Sequence, residues 1–201
     1  MKFNTKVIHG GQHHDASNGA VMPPVYQTST FVQTSPGQPL NPDYEYSRAA
    51  NPTRTALENA LASIENGTRG LAFSSGLAAT DCVLRSFKAG DEIIAMDDLY
   101  GGTYRMFTRI YKESGIKFHF VDMNNLDKFK SLINENTKLV WVETPTNPLM
   151  KLADIQEIAK ITREKKILFA VDNTFATPYL QKPLDLGADI VMHSATKYLG
   201  G

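Results

Sequence analysis

The chain of 201 residues has a single cysteine, no net charge and no long apolar run. One cysteine, Cys82, excludes an internal disulfide and fits a reducing compartment. It lies in the apolar run from Leu77 to Leu84, where a small buried packing residue is expected. Lys plus Arg and Asp plus Glu balance at 21 each. That excludes the one-sided basic charge of a general nucleic-acid binder. No window approaches 18 unbroken apolar residues, and Met1 to Lys6 has no apolar core of signal-peptide length. Neither a membrane nor a secretory route is expected, and a cytoplasmic location is. His13-His14-Asp15 offers too few ligands for a metal site, so no metal is expected. Missing too are a Gly-Lys-Ser/Thr phosphate loop and a Gly-x-Gly-x-x-Gly fingerprint, which disfavours a nucleotide-binding module.

Residues 1 to about 50 are rich in Gly and Pro (Gly10-Gly11, Pro23-Pro24, Pro36-Gly37, Pro39, Pro42) and show no useful helical period. A structureless stretch of that length needs a purpose, either wrapping its own domain or reaching another subunit. At Asn51-Pro52-Thr53 the character changes. Leu57, Leu61 and Ile64 recur on one face until Asn66-Gly67 stops the helix. Strands are then expected at Gly70–Phe73, Glu92–Met96, Ile116–Val121, Leu139–Val142, Ile167–Val171 and Asp189–Met192. Helices are expected at Leu77–Phe87, Gly102–Glu113, Leu126–Ile133 and Ile155–Lys165. The alternation predicts βαβ crossovers, hence a three-layer α/β domain over 51–201 with a mostly parallel sheet.

In such a sheet, ligands collect just after the strands. Ser74-Ser75-Gly76 opens a helix, where free amides and the dipole suit a phosphate; an ordinary N-cap serine is the plainer reading. Asp97-Asp98-Leu99-Tyr100 follows the second strand. Its acids suit a helix cap, and Tyr100 suits stacking on a flat ligand. Glu143-Thr144-Pro145-Thr146-Asn147-Pro148 carries two prolines, so Glu143 and Asn147 are held stiffly. Asp172, at the end of a buried strand, needs a partner such as a cation, a metal or a protonated ring nitrogen. Ser194-Ala195-Thr196-Lys197 follows the last strand with two hydroxyls and an amine able to form an imine. One ligand fits them all: a phosphate for Ser75-Gly76, Ser194 and Thr196, a ring for Tyr100, a basic ring nitrogen for Asp172, and an aldehyde for Lys197. That ligand is pyridoxal 5′-phosphate (PLP).

The same stretches resemble a known family, the PLP-dependent enzymes of Cys/Met metabolism that handle cystathionine. The resemblance runs from Thr5-Lys6-Val7-Ile8-His9 to Gly201. It is carried by Pro24–Phe31, Tyr46-Ser47-Arg48, Asn51–Arg54, Asp98–Thr103, Glu143–Pro148, Val171–Thr174 and Ser194–Tyr198. It implies the large domain of the aspartate aminotransferase-like, type I fold. It also implies Lys197 as the imine lysine and proton carrier, Asp172 at the ring nitrogen and Tyr100 on the ring. The Gly76 and Leu77 amides with the Ser194 and Thr196 hydroxyls would hold the phosphate, beside Ser75, and Asn147 would lie near the ring's phenolic oxygen. Tyr46 and Arg48 would come from the 1–50 arm of a neighbouring subunit, in a homotetramer built as a dimer of dimers.

Phe73–Thr80, Met96–Thr103 and Glu45–Arg48 look most like γ-lyases and γ-synthases acting on cystathionine. Glu45 is placed to meet its distal amino group, and Gly102 stands where methionine γ-lyases usually carry cysteine. The expected activity is cleavage of cystathionine to cysteine, 2-oxobutyrate and ammonia. γ-Synthase, β-lyase and O-acetylhomoserine sulfhydrylase activities are the alternatives. Family members continue for roughly as many residues again, with the arginine for the substrate carboxylate and a strand that inserts between the first and last strands of this chain. A second reading is therefore a non-catalytic piece of such an enzyme.

Overall fold

A computed structural model describes residues 1–200. The chain forms two compact units, residues 1–72 and residues 73 onward.

In the first unit the arm is not wholly irregular. Helix α1 (Phe3–His9) and a small antiparallel hairpin, β1 (Gln33–Ser35) with β2 (Gln38–Pro39), depart from the expected loop. Seven residues are too few to show a clear period, so α1 was not visible in the pattern. Helix α2 (Pro52–Glu65) starts as expected. The Asn51 side chain accepts from the Thr53 amide, proline occupies the first turn, and Asn66 closes the helix in the left-handed region at φ 58°. The Arg48 guanidinium lies 4.7 Å from the centroid of the Tyr46 ring. The Gly70–Phe73 strand does not form. No described strand pairs with it, and the Ala72 amide donates instead to Glu58 in α2, at 2.9 Å.

The second unit is a parallel sheet of five strands in the order β4-β3-β5-β6-β7. These are β3 (Glu92–Met96), β4 (Lys117–Val121), β5 (Thr137–Glu143), β6 (Leu168–Asp172) and β7 (Ile190–Met192). Helices α3 (Gly76–Leu84), α4 (Gly101–Met106), α5 (Leu126–Leu132), α6 (Ile155–Lys165) and α7 (Thr177–Leu180) complete a three-layer α/β architecture. The central strands read as continuous apolar runs because helices cover both faces of such a sheet. Every residue of β3 is buried, and all but one of β5 are. The largest buried side chains are Trp141, Phe107, Phe129 and Phe169.

The expected helix Gly102–Glu113 breaks into α4 and a π-turn, Phe107–Tyr111. There the Lys112 amide donates to the Phe107 carbonyl, at 3.0 Å. Phe107 and Tyr111 are both buried along this turn. Phe107 stacks on Phe118 with centroids 4.7 Å apart, and the Tyr111 hydroxyl donates to Asp81 in α3 at 2.6 Å. Cys82 is exposed, contrary to expectation. Its neighbours in α3, Thr80 and Leu84, supply the buried face, and Cys82 lies between them on the outer side.

At the N-terminal end of the sheet, remote from the strand ends where ligands collect, Glu92 is buried. It accepts from Asn134 and pairs with His119 at 2.7 Å each, and with Lys117 at 3.2 Å. Asn134, then His119 and Lys117, pull its carboxyl down to about 2 against the cost of burial. A depressed acid stabilises the fold above its ordinary value, here 4.5, and loses that contribution as pH falls towards 2. Glu92→Gln should therefore lower the thermal midpoint at pH 7, and the gap to wild type should close between pH 4.5 and 2. A melting series across that range tests this; a gap that does not change with pH would refute the network's charge-dependent role.

Candidate active site

The site is built at the C-terminal ends of the strands. Parallel register sets Glu143 beside Asp172 and Asp172 beside Met192, so β5, β6 and β7 end on one row. Above that row lies a cavity of about 220 Å³. Ser75, Gly76, Leu77, Tyr100, Asn147, Asp172, Ser194, Thr196 and Lys197 all line it. The sequence-predicted residues of the second unit are thus brought together. Tyr46 and Arg48 belong to the first unit, where the cation–π contact joins them and Tyr46 pairs with Thr30 in an isolated antiparallel bridge.

One wall is the start of α3. The Ser75 hydroxyl accepts from the Ala78 amide at 3.1 Å, the cap that its position predicts. The amides of Gly76 and Leu77 belong to the first turn, which has no intrahelical acceptors for them. A Cβ on Gly76 would sit 2.9 Å from the Ser194 Cβ, so only glycine lets this turn and the Ser194 segment approach so closely. Beside it, the Thr174 hydroxyl donates to Asp172 at 2.5 Å and accepts from the Ser194 amide at 2.9 Å. That hydroxyl ties the end of β6 to the loop carrying Ser194, Thr196 and Lys197. Lys197 is exposed.

Tyr100 stands at the mouth, partly exposed. A Cβ on Gly102 would lie 2.4 Å from the Tyr100 Cε1, so the ring rests on the bare backbone of that glycine. The Tyr100 amide donates to the Glu143 carboxyl at 2.8 Å. The acids expected to cap α4 do other work. Asp97 pairs with Lys151 at 2.9 Å, and Tyr100 occupies the cap position without a side-chain bond. Asp98 is buried and accepts from the Thr146 hydroxyl and, at 3.0 Å, from the Leu149 amide. It thereby fixes the loop that carries Asn147.

Two buried carboxyls face the cavity. Burial pushes the Asp172 carboxyl up, opposed by the Thr174 hydrogen bonds and by His193. Glu143 is pushed up to about 8, by burial first and by Asp172 second, against the amides of Tyr100 and Asn147. Sequence reasoning placed Glu143 in a stiff loop but gave it no function, and it missed Thr103, Thr174 and Phe175, which also line the cavity. The buried Thr103 hydroxyl has no partner among the described residues. It is the kind of orphaned group that a polar ligand satisfies. No cluster of metal-ligating side chains is present among the described residues.

This wall set suits a flat, phosphate-bearing ligand with a basic ring and an amine-reactive group. The architecture and the site define an α/β protein with its ligand site at the sheet's C-terminal edge. The chain belongs to the Cys/Met metabolism PLP-dependent enzyme family, which it matches over residues 4–201. It is 56% identical over 199 residues to the cystathionine β-lyase of Lactococcus lactis subsp. cremoris, covering 99% of this chain and 52% of that protein. It is 50% identical to the cystathionine γ-lyase of Dictyostelium discoideum, covering 100% of this chain and 51% of that one. The crystal structure of cystathionine γ-lyase from Lactobacillus plantarum complexed with L-serine superimposes with a TM-score of 0.96 at 50% identity, covering 100% of this chain and 52% of that structure. The chain spans about half the length of the curated relatives it matches. No described helix is long and apolar enough to cross a membrane.

The Asp98 links carry a prediction of their own. Asp98→Ala strands two donors and should cost about 2 kcal/mol. Hydrogen exchange at the Leu149 amide should speed up with it; unchanged exchange there would show that Asp98 does not hold the loop.

Proposed function

We propose that the protein is a PLP-dependent carbon–sulfur lyase of sulfur amino acids that cleaves cystathionine on the γ side, giving cysteine, 2-oxobutyrate and ammonia. The observation that carries the PLP reading is the convergence of Ser75, Gly76, Leu77, Tyr100, Asn147, Asp172, Ser194, Thr196 and Lys197 on one cavity. β-Side cleavage to homocysteine and pyruvate is the second reading, favoured by the 56% identity to a β-lyase.

Bound PLP supplies an aldehyde that reacts with amines and a ring that accepts an electron pair. In this reading the first-turn amides of Gly76 and Leu77, with the Ser194 and Thr196 hydroxyls, hold the phosphate at the positive end of α3. Tyr100 covers the ring and Asn147 meets its phenolic oxygen. Asp172 holds a proton at the ring nitrogen; a buried carboxylate with Thr174 as its fixed donor is oriented for that. The Lys197 amine would hold the aldehyde and would move the substrate's Cα proton. Residues 1–50 act as the arm that carries Tyr46 and Arg48 to a neighbouring subunit's phosphate, where the guanidinium fork suits an anion. That exchange calls for at least a dimer, and the family resemblance implies a homotetramer built from such dimers, with residues 51 onward as the PLP-binding large domain.

Three measurements test this. Lys197→Ala should abolish the visible band, near about 420 nm for this cofactor class, that appears when PLP is added to the purified protein; a retained band would refute the lysine's role. Asp172→Asn keeps the shape without the charge and should cut turnover about a hundredfold or more. Near wild-type turnover would remove the ring-nitrogen pairing. Incubation with cystathionine should release cysteine and 2-oxobutyrate; homocysteine with pyruvate would assign the β side instead.

A further inference from the structure

Glu143 is the one buried ionisable group of the cavity to which the mechanism above gives no part. It closes β5, is 5% exposed, and accepts from the Tyr100 backbone at 2.8 Å. Its register partner across the sheet is Asp172, also 5% exposed. In a parallel pair, register partners direct their side chains to the same face, and both carboxyls reach the same cavity. No salt bridge joins either of them to a cation among the described residues. The groups that bear on them are Asp172 and Asp98 on Glu143, His193 on Asp172, and Lys197 at the cavity's exposed side. Two adjacent buried carboxyls do not both ionise without a cation, so one keeps its proton. Each acid has two donors, the Thr174 amide and hydroxyl at Asp172 and the Tyr100 and Asn147 amides at Glu143. The charged neighbours differ: Asp172 has His193 beside it, whereas Glu143 faces the acids Asp172 and Asp98, so the charge falls on Asp172. The site needs a carbonyl-type acceptor from Glu143, for the Tyr100 amide, and a neutral acid supplies one.

We propose that Glu143 is a positioning residue: as the neutral acid of the pair it fixes the Tyr100 backbone, and through it the ring over the cavity, while leaving the single negative charge on Asp172. The inference rests on the PLP reading of Tyr100 and Asp172. It explains why the Tyr100 ring is held from two sides, by Glu143 at its amide and by Gly102 beneath its edge.

The test is PLP affinity and thermal stability of the purified protein, for wild type, Glu143→Gln, Glu143→Ala, Tyr100→Ala and the double Glu143→Ala/Tyr100→Ala. Glutamine is neutral and keeps the acceptor, so Glu143→Gln should bind PLP within about threefold of wild type. Glu143→Ala loses the acceptor and should bind about tenfold more weakly. Because Glu143 acts through Tyr100, the double variant should be no weaker than Tyr100→Ala alone. Melting without PLP gives a readout independent of the cofactor. An acid raised from 4.5 to about 8 gives stability that is full below 4.5 and is lost as pH rises through 8. Glu143→Gln should therefore gain on wild type across that window and then hold its lead. Glu143→Gln binding as weakly as Glu143→Ala, additive losses in the double variant, or a melting gap that ignores pH would each overturn the inference. Should Glu143→Ala fail to fold, the glutamine melting series decides alone. A wild-type protein that takes up no PLP overturns the functional reading and this inference with it. A wild type that binds PLP while a folded Glu143→Ala binds it equally well overturns this inference only.

Discussion

The site depends on the register of two parallel ladders. β5, β6 and β7 are paired so that Glu143, Asp172 and Met192 end level. A slip of one residue would turn each side chain to the other face of the sheet. Asp172 would then leave the cavity for a helix-covered interior, where an unpaired carboxylate is costly. The buried runs of β5 and β6 hold the register, since Val140, Trp141, Phe169 and Ala170 are all fully buried. The apolar core and the polar site are therefore one construction: the packing of the strands aims the carboxyls.

A second level of order comes from short polar links between successive loops. Asp98 holds the loop with Asn147, Glu143 holds Tyr100, and Thr174 joins Asp172 to the Ser194 segment. Each link runs from the end of one strand to the loop after its neighbour, so the cross-strand bonding of the ladder continues past the strand ends into the cavity wall. Buried groups of this kind are costly singly and stiffening when satisfied together. The glycines complete the arrangement by absence. Gly76 and Gly102 leave the space in which Ser194 and the Tyr100 ring sit.

Much of this was legible in the sequence because the signals were local. Strand ends followed by Asp172, by Tyr100 or by Ser194-Ala195-Thr196-Lys197 follow from apolar runs and from the rule that ligands gather there. Helix α6 spans the residues that its periodicity predicts, Ile155–Lys165, and the structure adds Asp154 as its cap. What was not legible is non-local. Gly70–Phe73 has strand-like residues, but a strand exists only with a neighbour to bond, and its amide at Ala72 goes to Glu58. The break of the fourth helix into a π-turn answers to Phe118, Trp141 and Asp81, which are distant in sequence. Asp97 and Asp98 look like caps from their position and become crosslinks because Lys151 and Thr146 lie opposite.

The placement of Asp172 and Lys197 bears on how such a site works. In this chain the lysine stands on a loop beyond β7, while the Asp172 carboxyl is buried at the end of β6. The two halves of the proposed chemistry are thus separated by depth. The Asp172 carboxyl is set by the sheet, and the loop that carries Lys197 is tied to it through the Thr174 hydroxyl and the Ser194 amide. A group that only orients charge gains from being locked in the ladder. Lys197, which in the proposed reading forms and breaks bonds, stands instead on a loop, and the Thr174 hydroxyl joins that loop to the Asp172 carboxyl.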